Sequence, residues 1–333
     1  MLVLKKFGRL WLRNIDANIT ASRARGLSLS AWKDRWKDRP AIIVCAGPSL
    51  DRNLPRMTGL KEKFVIVCVD TALIPLLKHG IVPDIVVSLD SQIANVADFF
   101  DPLVLSSCSS TDLVMEITAH RSIPGLFPGG LLPFHTVKLL TSPETGTKAE
   151  FVEPHYRAFT SAFRNTEGLQ TGGSVSTTAL DLCLLCGFSK VVFIGQDLGF
   201  LDYRLYCRGT YADRVLSLRE NRFVPRSNSL LKHMSASDRP LSITAEGQVY
   251  RSSPVMDGYR RWLENALLLL KGKALFCEAP WLSPSDNAFI SFEELERFPA
   301  IPPQVRPRIR LEPADPDSGT PFTEETRGYL GLS

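Results

Sequence analysis

A chain of 333 residues with 44% hydrophobic and 22% charged side chains can build one large core with a smaller appendage, and its balance is that of a globular protein. No apolar run approaches the roughly 18–20 residues that span a bilayer. The apolar start is broken by Lys5, Lys6, Arg9 and Arg13 with no small-residue cleavage site behind them, so the expected location is the cytoplasm. The net charge of +4 is concentrated in residues 1–40, which hold ten Lys or Arg against three Asp or Glu; the remainder is slightly acidic, which argues against nucleic acid as a partner.

Leu4, Phe7, Leu10, Trp11 and Ile15 recur at three- and four-residue spacings, and Trp32 and Trp36 are four apart. Residues 1–39 are therefore predicted to be an amphipathic helical arm, stopped by Pro40. From residue 40 the pattern alternates: strand 41–46, helix 52–60, strand 64–69, helix 72–78, strand 85–89, helix 93–99. Alternation of this kind implies right-handed crossovers and a doubly wound, Rossmann-like α/β fold around a parallel sheet, spanning 40–290. Residues 102–165 are punctuated by prolines and glycines, with short apolar pieces at 103–106 and 136–140 that read as strands. The strong pattern returns with a helix at 175–187 and a strand at 190–195. A helix at 255–270 and a strand at 274–277 follow, and seven prolines within 299–321 make 291–333 an extended tail.

Three predicted strands run directly into an aspartate, namely Asp70, Asp90 and Asp197, the last behind Gln196. A fourth runs into Gly47-Pro48-Ser49-Leu50-Asp51. In an open parallel sheet the ligand lies beyond the carboxyl ends of the strands, so these tips are expected to share one cleft. One glycine between Ala46 and Asp51 falls short of the G-x-G-x-x-G dinucleotide fingerprint, which argues against a nicotinamide or flavin enzyme. A tight turn at Gly47, Pro48 and Ser49 can still offer amides and a hydroxyl to a phosphate, and Gly172, Gly173 and Ser174 make a second candidate cradle before a helix. Asp70 stands at a spacing suited to a ribose hydroxyl, and equally suited to capping a helix.

Asp197 emerges from an apolar strand, where burial raises a carboxyl pKa. Arg204, Arg208, Arg214, Arg219, Arg222 and Arg226 follow it, interleaved with Tyr203, Tyr206 and Tyr211. Residues 200–235 are thus a candidate lid over an anionic substrate, with Arg204 and Arg208 nearest to Asp197. None of the five histidines has metal-ligand spacing; a metal, where one is used, would be a hard cation such as Mg2+ held by Asp and phosphate oxygens. The seven cysteines, odd in number and mostly inside apolar runs, read as buried thiols, and the Cys183/Cys186 pair lies in an apolar helix pattern that makes core its expected role.

The stretches 42–51 (IIVCAGPSLD), 70–90 (DTALIPLLKHGIVPDIVVSLD), 172–198 (GGSVSTTALDLCLLCGFSKVVFIGQDL) and 253–264 (SPVMDGYRRWLE), with Arg13-Asn14 near the start, resemble the motility accessory factor family. That family shares its central domain with archaeal 6-hydroxymethylpterin diphosphokinases, and its fold resembles bacterial sialyltransferases. The resemblance implies a cytoplasmic glycosyltransferase that moves a nonulosonic acid from a CMP-sugar donor to Ser or Thr of flagellin, with no tightly bound cofactor. Carried over by position, Gly47, Pro48, Ser49, Gly172, Gly173 and Ser174 would hold the donor, Asp70 and Asp90 would line the cleft, and Gln196 and Asp197 would face the reacting centre. Where relatives carry Thr-His-Ala after the QDL block, this chain has Leu205-Tyr206-Cys207, which leaves Asp197 as first choice for the base and Tyr206 as second. The alternatives are a pterin diphosphokinase using ATP and a flagellin-binding scaffold without activity.

Overall fold

The computed structural model describes residues 2–141, 148–201, 203–223, 241–245, 248–270, 272–277, 279, 281, 287–303 and 305–314. Its strands are β1 (Pro40–Val44), β2 (Val65–Val69), β3 (Ile85–Ser88), β4 (Asp112–Glu116), β5 (Gly130–Thr141), β6 (Lys148–Val152), β7 (Gly168–Gln170), β8 (Lys190–Ile194), β9 (Leu241–Ala245), β10 (Gln248–Ser252), β11 (Ala274–Cys277) and β12 (Phe289–Ile290). Ten of them form one sheet in the order β12-β11-β8-β1-β2-β3-β4-β5-β6, with β7 also on β5; β9 and β10 form a separate hairpin. Within the large sheet only β5–β6 is antiparallel. The sheet is mostly parallel and flanked by helices, as the alternating pattern predicts. β1 through β4 are buried at every position, and β1 to β3 accordingly read as continuous apolar runs rather than alternating ones.

The chain winds outward from β1 through β2, β3, β4 and β5, then returns to place β8 on the other side of β1. The order reverses between β1 and β8, so their carboxyl ends flank the crevice in which such folds bind ligands.

Several local elements differ from expectation for physical reasons. Residues 103–106 belong to the α-helix Pro102–Ser107, because Asp101 accepts the Leu103 amide and Pro102 occupies the first turn. The helix expected at 52–60 is one α-turn, Leu50–Asn53, running into the 3-10 segment Leu54–Leu60, where Pro55 removes a backbone donor. Residues Ile93–Asp98 are likewise 3-10 helix. β4 has acidic residues at both ends, which hid it from a search for apolar runs. Within the expected tail, Ser291 and Glu294 form a capping box that starts the helix Phe292–Glu296. Of the expected lid, Thr210 caps the helix Tyr211–Arg219, while 224–235, with Arg226, lies outside the described residues.

The arm is packed into the body. In helix Leu2–Arg25, Ile15 and Ile19 join Ile117, Tyr156, Phe159 and Phe163 in a second small core. Asn14 and Asn18 are fully enclosed, and their side-chain amides donate to the Ser91, Thr118, Ile117 and Ala119 carbonyls. The last described segment crosses the amino ends of the strands. Arg306 and Arg308 both pair with Asp112, which has no exposed surface, and backbone bonds join Leu311 to Gly26 and Ser28 to Ile309.

Candidate active site

A cleft of about 500 Å3 opens at the carboxyl ends of β1, β2, β3 and β8. Of the residues expected there, Gly47, Asp70, Asp90, Gly173, Ser174, Gln196, Asp197 and Tyr206 line it; Pro48, Ser49, Gly172, Arg204 and Arg208 do not.

The Gly47 turn is closed from within. The Gly47 amide donates to the Gly195 carbonyl at 2.9 Å, the Leu50 amide to the Gly47 carbonyl, and the Ser49 amide to Asp197 Oδ2 at 2.6 Å. The Ser49 hydroxyl donates to Asp197 Oδ1. A Cβ on Gly47 would stand 2.6 Å from that same carboxylate. Glycine is needed here so that the turn can press against the tip of β8, and the amides proposed for a phosphate are already engaged. Burial pushes the Asp197 carboxyl up to about 6, against the two Ser49 hydrogen bonds that favour its charged form.

The second glycine turn is also internally satisfied. The Gly172 and Ser174 amides both donate to Thr177 Oγ1, and the Gly173 amide donates to Thr171 Oγ1. Ser174 and Thr177 form a capping box at the start of helix Val175–Cys186. The space that side chains at the two glycines would need is occupied by helix Pro254–Leu270: a Cβ at Gly172 would overlap the Trp262 ring, and one at Gly173, where φ is +99°, would lie 2.7 Å from Tyr259 Cε1. The groups this turn leaves at the cleft are the first helical residues, Val175 and Ser176, at the positive end of a three-turn helix.

On the far side stand the acids. Asp90 is exposed, and one of its oxygens accepts the Gln92 amide. Asp70 is buried at the start of helix Asp70–Lys78 and accepts the Thr71 amide; burial raises its pKa. Asp98 is buried nearby, pushed up to about 7 by burial and by the charge of Asp70. No Lys or Arg among the described residues forms an ion pair with Asp70 or Asp98. Opposite them, Tyr206 and Tyr259 line the cleft, and neither phenol bonds to another described residue. Enclosure and the charges of Asp98 and Asp70 push Tyr206 upward.

The arginines expected to grip an anion are turned elsewhere. The Arg204 guanidinium pairs with Asp51, and the Arg208 amide donates to Asp51 Oδ1 while its side chain is 79% exposed. Among the described residues no three His, Cys, Asp or Glu side chains come together as metal ligands. All seven cysteines are buried and none is in a disulfide. The sequence reading missed Asn95, Asp98, Met256 and Tyr259. Met256 and Tyr259 sit in helix Pro254–Leu270, and only their contact with the two-glycine turn, distant in sequence, brings them to the cleft.

The switch-point crevice, carboxylate-tipped strands and helix amino end define a doubly wound α/β protein with a ligand cleft at the carboxyl edge of its sheet. Residues 10–203 match the family described as 6-hydroxymethylpterin diphosphokinase MptE-like, and the chain belongs to that family. The structure is similar to that of the MAf glycosyltransferase from Magnetospirillum magneticum AMB-1, with a TM-score of 0.59 and 17% identity over 87% of this chain and 39% of that one. At that identity the likeness is one of fold. An uncharacterized protein of Treponema pallidum (strain Nichols) is 29% identical over 94 residues, 28% of this chain and 43% of that protein. The chain thus spans less than half of either relative. The family match and the structural neighbour bear out the resemblance to motility accessory factors. No described helix is long and apolar enough to cross a membrane.

Proposed function

We propose that this protein is a glycosyltransferase that takes a nonulosonic acid from a CMP-sugar donor and attaches it to a serine or threonine hydroxyl of flagellin in the cytoplasm. The observation that carries the reading is the cleft itself: a helix amino end on one side, buried acids that pair with no described Lys or Arg on the other, and tyrosine hydroxyls without partners among the described residues, in a fold shared with a MAf glycosyltransferase. The donor phosphate lies toward Val175 and Ser176, where the helix end favours an anion. The acceptor oxygen bonds the anomeric carbon, the bond from that carbon to the phosphate oxygen breaks, and its electron pair leaves on CMP. The acceptor proton passes to a carboxylate. Asp90 is the exposed carboxylate at the cleft, whereas both oxygens of Asp197 accept hydrogen bonds from Ser49. Most of the rate enhancement comes from positioning and from stabilising the departing phosphate.

Calorimetry with CMP, CDP, ATP and GTP, with and without Mg2+, followed by mass spectrometry of flagellin incubated with a CMP-nonulosonate, tests this. The expected result is cytidine-selective binding and one added sugar mass per modified residue. The family description favours a second reading, diphosphate transfer from ATP to a pterin alcohol, which Mg2+-dependent ATP binding without CMP binding would establish in its place. Binding of flagellin with no transfer would leave a scaffold.

A further inference from the structure

The match to the diphosphokinase-like family ends at residue 203, yet the cleft does not. Tyr206, Met256 and Tyr259 close one of its walls, and all three lie beyond that boundary. Tyr259 is held in place by the fold. Its ring fills the space over Gly173 that any other residue's side chain would take, its neighbour Trp262 does the same at Gly172, and the Asp257 and Met256 amides donate to Ser253 at the start of the helix. The ring therefore sits beside the first turn of helix Val175–Cys186, one short step from the amino end that suits a phosphate. Its hydroxyl has no partner among the described residues, and a methionine, whose thioether packs well at ring edges, stands on the same wall.

We propose that Tyr259, with Met256 and Tyr206 beside it, is the surface on which the planar base of the nucleotide lies, so that the segment after the family-matched core carries the ring while the core holds the phosphate. This rests on the proposal that the cleft takes a nucleotide-bearing substrate. Base–aromatic stacking tolerates any ring with a π face, so this wall adds affinity for a base without by itself choosing which base is bound.

The test is calorimetry of the full chain and two variants, Tyr259→Leu and Tyr259→Phe, with CMP and with ribose 5-phosphate, which has the sugar and phosphate but no base. Leucine keeps apolar packing over Gly173 and removes the π face. Tyr259→Leu is expected to weaken CMP about tenfold or more while ribose 5-phosphate changes by less than about twofold, and Tyr259→Phe to stay within about twofold for both. Equal losses for both ligands in the leucine variant would mean that Tyr259 only props the turn, and no loss for either would remove it from the site. A tenfold loss in the phenylalanine variant would assign the contact to the hydroxyl instead; each of these overturns the proposal. A wild type that prefers ATP or a pterin alcohol sinks the CMP-sugar reading alone, provided Tyr259→Leu loses that ring selectively. A wild type that binds none of these rings sinks both.

Discussion

The two ends of the sheet treat buried acids in opposite ways. At the amino end, Asp112 opens β4 without any exposed surface, and Arg306 and Arg308 of the crossing segment meet its two oxygens. At the carboxyl end, Asp70 and Asp98 are also buried but pair with no Lys or Arg among the described residues, and burial together with the charge of Asp70 pushes Asp98 up to about 7. Both arrangements carry a desolvation cost. The first is partly offset by two paired guanidiniums, although burial still holds the Asp112 carboxyl above its ordinary value, whereas the second feels only the more distant charge of Arg214 at Asp98.

Removing the compensation at the amino end should have the largest effect. Arg306→Met leaves Asp112 short of a partner in a dry site and is expected to lower unfolding free energy by about 3 kcal/mol. Urea titration measures the loss, and nucleotide affinity measured alongside it should be unchanged. At the carboxyl end the same logic runs in reverse. Because the folded-state pKa of Asp98 lies above its ordinary value, the penalty of ionising it grows as the pH climbs out of the ordinary carboxylate range and is complete above about 7. Asp98→Asn is therefore expected to be more stable than wild type at pH 8, by on the order of 2 kcal/mol, with the advantage shrinking toward zero as the pH falls to about 4. A constant difference across that range would show that Asp98 does not titrate there.

A smaller effect is expected from Gly173→Ala, which combines a positive φ with a methyl pressed on the Tyr259 ring. It should cost about 1–2 kcal/mol in a thermal melt and weaken nucleotide binding through displacement of helix Pro254–Leu270. The smallest is Arg208→Ala. Its side chain is exposed and meets Asp51 only in a long 3.9 Å ion pair, while the hydrogen bond to that carboxylate is made by the backbone, so stability and donor affinity should change by less than about 0.5 kcal/mol. A tenfold loss of donor affinity would instead bring the arginine back over the cleft as a lid.

The parallel sheet and the shared cleft were legible because they follow from local signals: unbroken apolar runs that end in Asp70, Asp90 and Asp197, and a single glycine turn after β1. The roles within the cleft were less so. Gly172 and Gly173 look the same in sequence whether a backbone must approach a phosphate or leave room for rings, and the rings that use the space, Trp262 and Tyr259, come from much later in the chain. Ser49 and Asp197 posed the same difficulty, since each alone suggests a ligand contact and only their pairing reveals a clip. Arg204 was drawn toward Asp51, a carboxylate already quoted in the motif, by a contact that spacing does not express.

The position of β8 shapes how the chain can be made. Strand β1 leaves the ribosome early and pairs with β2 on one side, but its other edge, Ala41 against Val191 and Ile43 against Phe193, waits for β8. A nascent chain that stops short of residue 190 presents β1 as an open edge that is apolar on both faces, the kind of strand that recruits other chains. It also lacks the carboxylate that ties down the turn at Ser49. The family-matched stretch, 10–203, reaches just past both the strand and the acid that seal it.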